Sequence, residues 1–102
     1  MRIVRTDRAL VGIREVGGYI ARDFGKKALR EFRQRLAEWT KTIKEHPRVG
    51  TIDWEVSTAD RIYLKVLIYR KSWMVYRVEG GTIYIVDFYD TNKSIPSHIQ
   101  YE

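Results

Sequence analysis

The sequence predicts an α+β domain in the order β-α-α-β-β-β: a short N-terminal strand, a helical hairpin, and an antiparallel three-stranded meander with the helices packed on one of its faces. Three observations predict it. Apolar residues recur at helical spacing through the first half, they alternate at strand spacing through the second, and Pro47 stands between the two halves. A chain of 102 residues, 44% hydrophobic and 31% charged, holds one core and not two, and lies outside the disordered class. Residues 1–93 are therefore assigned to a single domain and residues 94–102 to a C-terminal tail.

Arg2 to Arg5 suit a short strand, after which Thr6 or Asp7 can accept the free N–H groups of a helix start. A first helix should run to about Arg22, because Ala9, Ile13, Val16 and Ile20 step along one face. Gly17-Gly18 interrupts it, and each glycine costs a helix about 1 kcal/mol relative to alanine. The pair is either a weak spot or the mark of a closely approaching helix. Gly25 is placed to end this helix, and a second should cover about Lys26 to Glu45. There Leu29, Phe32, Leu36, Trp39 and Ile43 form a narrow seam suited to one packing partner. Lys26, Lys27, Arg30, Arg33, Arg35, Lys41 and Lys44 surround the seam as a solvated surface or a docking face.

The connection "RVGTIDWEVSTAD" after Pro47 leaves room for a short extended piece at Ile52 to Val56. Three strands follow, at Arg61 to Tyr69, Trp73 to Glu79 and Thr82 to Tyr89. Gly80-Gly81 allows the positive φ angles of a two-residue hairpin turn. That turn pairs Glu79 with Thr82, Arg77 with Tyr84, Val75 with Val86 and Trp73 with Phe88, leaving Met74, Tyr76, Val78, Ile83 and Ile85 on the core face. A three-residue turn, Arg70-Lys71-Ser72, then keeps Ile62, Leu64, Val66 and Ile68 on the same buried side, whereas a two-residue turn would bury Lys65.

The chain carries 19 Lys plus Arg against 13 Asp plus Glu, a net charge of +6 that suits a polyanion or an acidic protein as partner. No cysteine is present, which excludes disulfides and thiolate metal sites and fits a reducing compartment. The N-terminal stretch has no signal-peptide character and no run is apolar enough to cross a bilayer, so the expectation is a cytoplasmic protein with no membrane partner. His46 and His98 have no third ligand at a recognisable spacing, and neither a Gly-rich phosphate loop nor a nucleophile elbow occurs, so no metal and no cofactor is expected. Asp87 and Asp90 are three apart on one strand and so should point to opposite faces, which argues against a paired-carboxylate site. Asp90-Thr91-Asn92 reads as a turn.

In the expected register Lys65, Arg77 and Tyr84 form a row on the sheet face away from the helices, with Arg61 and Tyr63 alongside. Like charges directly opposite each other in a sheet cost roughly 0.2–1 kcal/mol unless something negative lies between them. Either an anion such as a phosphate or the neighbouring Glu79 can serve. Leu67, Tyr69, Trp73, Val75, Val86 and Phe88 form an apolar and aromatic patch on the same face, to be covered by a second protein or by the tail from Ser94 onward.

The order of "ALVGIREVGGYIARDFGKKALREFRQRLAEW", "HPRVG" and "WMVYRVEGGTIYIVDFYDT" resembles the RelE/ParE superfamily of toxins from type II toxin–antitoxin modules, over nearly all of residues 1 to 93. In that superfamily the RelE branch cuts mRNA on the ribosome with lysines, arginines and a tyrosine or histidine on the exposed sheet face. The ParE branch inhibits DNA gyrase, and an antitoxin wraps and silences both. The resemblance implies a cognate antitoxin in a hetero-oligomer, a target that is gyrase or the ribosome with its mRNA, and a role in growth inhibition and plasmid stabilisation. For a nuclease it implies Arg61, Lys65, Arg77 and Tyr84 as catalytic positions. Tyr63, Tyr84 or Lys65 would take the proton of a 2′-hydroxyl, after a lowering of its pKa, while Arg61 and Arg77 stabilise the phosphate. Tyr63, Arg70, Lys71 and Lys93 would contact the target, and Trp73, Val75, Val86 and Phe88 the partner. RNA-cutting members commonly carry a basic residue just after the last strand, where this chain has Asp90-Thr91-Asn92 and Lys93 only afterwards. That departure favours a ParE-like gyrase inhibitor, with a RelE-like endonuclease and a non-toxic basic interaction module as alternatives.

Overall fold

The computed structural model describes residues 1–92 and residue 101. Among the described residues there are five strands and one broken helix: β1 (Arg2–Arg5), α1 (Asp7–Glu45), β2 (Thr51–Ile52), β3 (Leu64–Tyr69), β4 (Ser72–Glu79) and β5 (Thr82–Asp90). The strands form a single sheet in the order β1-β5-β4-β3-β2, with β1 parallel to β5 and the other pairs antiparallel. The extended piece after Pro47 is shorter and earlier than expected, and it adds the edge strand β2 beside Leu64 and Lys65.

The start of α1 is fixed by Thr6. Its hydroxyl accepts from Ala9 N at 3.2 Å and donates to the Val86 carbonyl at 3.2 Å, while its own N–H donates to Ile85 O. Gly25 breaks the helix, as expected, at φ 91° and ψ 179°, a backbone region open essentially to glycine alone. The two arms fold back on each other, so that a Cβ on Gly17 would lie 3.5 Å from Phe32 and 3.7 Å from Leu29. One half of the Gly17-Gly18 pair therefore faces the second arm, and Gly18 meets nothing within 4 Å. The tighter approach is at Gly12, where a Cβ would stand 2.0 Å from the Phe88 carbonyl oxygen, because the first arm crosses β5 almost in backbone contact.

Ala9, Val16 and Ile20 from the first arm and Phe32 and Ile43 from the second pack on Leu64, Val66, Met74, Tyr76, Ile83 and Ile85. This layer is the main core, and its face of the sheet is the one expected. Tyr76 has no exposed surface, and its hydroxyl donates to Pro47 O at 2.8 Å and accepts from Gly50 N at 3.0 Å, which ties the α1–β2 connection to the middle of the sheet. Burial raises its pKa above the usual phenol value.

Two bulges change the expected register. Glu79 pairs with Thr82 and Arg77 with Tyr84 as the Gly80-Gly81 turn dictates, but Val86 is then an extra residue, so that Val75 pairs with Asp87 and Trp73 with Tyr89. Past this bulge the faces exchange: Phe88 turns toward the helices, its ring 5.6 Å from that of Phe32 at 81°, and Asp87 turns outward. The second bulge lies in β3, where Leu67 pairs with Trp73 and Tyr69 with Ser72, leaving Ile68 extra. The connection is thus the two-residue turn Arg70-Lys71, with Arg70 at φ 55°, and the bulge restores the parity that would otherwise bury Lys65.

Candidate functional site

The sheet face opposite α1 carries Lys65, Leu67, Trp73, Val75, Arg77 and Tyr84, so Lys65 and Arg77 do project from one side. They are not directly opposite. Lys65 pairs with Val75, which makes Arg77 its diagonal neighbour, and the repulsion between them is weaker than in a facing pair. Each cation rests on an aromatic ring. The Arg77 guanidinium lies 4.1 Å from the centre of the Tyr84 ring and the Lys65 ammonium 5.1 Å from that of Trp73.

Arg77 is also paired with Glu79 through Nη1, and its side chain is only 12% exposed. Its Nε is buried without a hydrogen-bond partner among the described residues. Glu79 therefore supplies the negative group that the sequence left open between a ligand and a neighbour.

The remaining candidates are spread. Arg61 precedes β3 instead of lying on it, in an exposed turn where its N–H donates to Thr58. With Arg48, Arg77, Asp60 and Glu79 it borders a cleft of about 280 Å³ at one end of the sheet. Arg48 was not singled out from the sequence, since only the anchoring of Pro47 and Gly50 by Tyr76 brings it there. Arg70 and Lys71 stand at the opposite end, the Arg70 guanidinium 3.8 Å from the centre of the Phe24 ring and the Lys71 ammonium donating to Asn92 Oδ1 at 3.4 Å. Lys93 lies outside the described residues.

Tyr63 is buried instead of exposed. Residues 53–63 fold over the outer face, held by Asp53 N–H to Tyr63 O and by the Ser57 hydroxyl, which bridges Tyr63 N and O. Tyr63, Val75 and Val86 form a second small core with Val56, Tyr84, Tyr89 and Tyr101 packed against it. Val75 and Val86 are accordingly covered by the chain itself, and Phe88 belongs to the main core; of the four residues placed at a partner interface, Trp73 alone keeps partial exposure on the outer face. Exposed apolar surface nearby comes from Leu67 and from Trp54, which is 72% exposed.

Asp87, set aside in the sequence as half of a carboxylate pair, proves to be a buried hydrogen-bonding centre. It is 4% exposed; Oδ1 accepts from Phe88 N at 2.8 Å, and Oδ2 receives the Tyr101 hydroxyl at 2.6 Å and Arg8 Nε at 3.3 Å. The missing signal was the Val86 bulge, which brings Asp87 to the same face as Val75. Burial, with added repulsion from Asp53, Asp87 and Glu55, pushes the neighbouring Tyr89 phenol up to about 12. Asp90-Thr91-Asn92 is a turn as expected, with Asn92 N–H donating to Asp90 Oδ1 and Thr91 N–H to Lys71 O.

The arrangement is a mixed sheet with a folded-back helix on one face and a cationic, aromatic surface on the other. This fold is similar to that of a chain in a structure described as the chromosomal ParDE TA (toxin–antitoxin) system from P. aeruginosa, with a TM-score of 0.68 and 15% sequence identity over 88% of this chain and 95% of that one. No family model matches the sequence, and no curated protein matches it.

Proposed function

We propose that this protein is the toxin of a toxin–antitoxin module, of the gyrase-inhibiting kind, acting in the cytoplasm by occupying its target and silenced by an antitoxin. The shared fold with a chain of a ParDE system supports membership of such a module. The choice of a binding toxin over a cutting one rests on one observation, the engagement of the groups that RNA cleavage would need. Arg77 is neutralised by Glu79 and stacked on the Tyr84 ring, the Lys65 ammonium rests on Trp73, the Tyr63 hydroxyl donates to the Tyr101 carbonyl, and Arg61 is off the strand. A proton-transfer pair facing a phosphate is not assembled from these residues.

The endonuclease alternative keeps one feature in its favour, the cleft where Arg48, Arg61 and Arg77 converge. Side-by-side assays of DNA supercoiling and of translated mRNA separate the two. The expected result is inhibited supercoiling with intact message, and message cleavage that disappears in Arg77→Ala would overturn the proposal. A chain whose induction without any partner leaves growth unchanged would instead be a basic interaction module.

A further inference from the structure

Outside the cationic row, four specific contacts on the outer face converge on one residue, Tyr101. Its hydroxyl donates to Asp87 Oδ2 at 2.6 Å, its backbone carbonyl accepts from the Tyr63 hydroxyl at 3.1 Å, and its ring meets that of Tyr63 edge-on at 5.2 Å. The Arg8 guanidinium lies 5.8 Å from the centre of the same ring. Phenol, ring and main chain are each recognised separately.

The receiving groups are positioned by parts of the fold that do not involve Tyr101. Phe88 N–H and Arg8 hold the Asp87 carboxylate, the Ser57 hydroxyl and the β2–β3 connection hold Tyr63, Val75 is fixed by the β4–β5 ladder, and the bulged Val86 is held through its carbonyl by the Thr6 hydroxyl. Such a site is preorganised, and a preorganised site binds without first ordering its own groups. What it recognises is a tyrosine side chain together with the main-chain carbonyl of the same residue, a pair of groups that any tyrosine-bearing peptide carries. Burial and the hydrogen bond to Asp87 both raise the Tyr101 pKa, in keeping with a neutral phenol donating to a carboxylate.

We infer that Asp87, Tyr63 and Arg8 form a tyrosine-recognition socket, a peptide-docking site on the outer sheet face that the chain's own Tyr101 occupies in cis and that a tyrosine-bearing peptide segment can enter when Tyr101 leaves. The inference does not depend on which target the protein inhibits. An occupant tethered to the same chain acts at an effective concentration in the millimolar range, so wild-type protein masks the socket from free peptide.

The test uses the 102-residue chain with Tyr101→Ala and a fluorescent peptide of residues 94–102, SIPSHIQYE, followed by anisotropy. The peptide should bind the variant and bind wild type at least roughly tenfold more weakly, the factor set by cis competition. A peptide with phenylalanine in place of its tyrosine should bind about tenfold more weakly than the parent, because a hydrogen bond to a charged acceptor is lost. Adding Asp87→Asn to the variant should shrink that tyrosine preference. Circular dichroism checks folding, and Tyr101→Phe, which keeps the ring, serves as the second variant should Tyr101→Ala unfold. Equal binding to wild type and variant, no binding to a folded variant, or equal affinity for the tyrosine and phenylalanine peptides each overturns the inference.

Discussion

Gly12→Ala tests how closely the first arm of α1 lies on β5. The added Cβ would stand 2.0 Å from Phe88 O and 2.9 Å from Phe88 C, where real Cβ atoms keep beyond 3.0 Å. The obstacle is main chain in a central strand and cannot rotate away, so the arm must retreat by roughly 1 Å, a gap that forfeits about a quarter to a half of each dispersion contact along it. Ala9, Val16 and Ile20 share that face and lose contact together. Overpacking of this kind costs about 1–3 kcal/mol, and a backbone obstacle places it at the upper end. Alanine returns about 1 kcal/mol of helix propensity. The net expectation is a loss of about 2 kcal/mol. Gly18→Ala is the control, since its Cβ would meet nothing within 4 Å and the substitution should stabilise by about 0.5–1 kcal/mol. Urea unfolding reads both: with a slope of about 1–3 kcal/mol per molar, the two midpoints should separate by about 1 M or more, in opposite directions from wild type. A Gly12→Ala midpoint at or above that of wild type would refute the close approach.

Tyr76→Phe removes a buried hydroxyl that joins Pro47 O to Gly50 N, and should cost about 1–3 kcal/mol in urea unfolding while speeding amide exchange at Gly50. Gly25→Ala meets no neighbouring atom, so its cost is purely that of forcing a Cβ into φ 91°, about 1–3 kcal/mol, seen as a lowered Tm. Alkaline pH should destabilise the fold through Tyr89: its folded pKa of about 12 exceeds the unfolded 10.0, so the unfolded chain releases the proton first. The contribution is complete below pH 10.0 and is lost as pH rises toward about 12, and Tyr89→Phe should flatten the fall in urea midpoint over that window.

Much of the fold was legible because its signals are local. Thr6 capping α1, Gly25 ending its first arm, and Gly80-Gly81 setting the Glu79–Thr82 and Arg77–Tyr84 pairs each depend on a few adjacent residues. The core face of β3 and β4 followed from alternation, since Leu64, Val66, Met74 and Tyr76 are all buried. The candidate site was less legible. Its cations were placed on the correct side, but their relative offset, the pairing of Arg77 with Glu79 and the burial of Tyr63 depend on how distant segments meet.

The sequence by itself determined the α+β order, the helical break, the Gly80-Gly81 turn between β4 and β5 and the basic character of the surface, because periodicity, glycine φ freedom and charge act over a few residues or over the whole composition. Tertiary structure alone decided the two bulges, the pairing of β2 with β3 and the Tyr101 contact. A bulge costs one ladder position and is repaid only by remote partners: Thr6 bonds to the Val86 carbonyl, and Phe88 packs on Phe32. A single extra residue reverses the faces of all that follow it on a strand. That is why Asp87 came to the outer face of the sheet, under Tyr101, and Phe88 to the core, against a pattern that alternation alone would have continued.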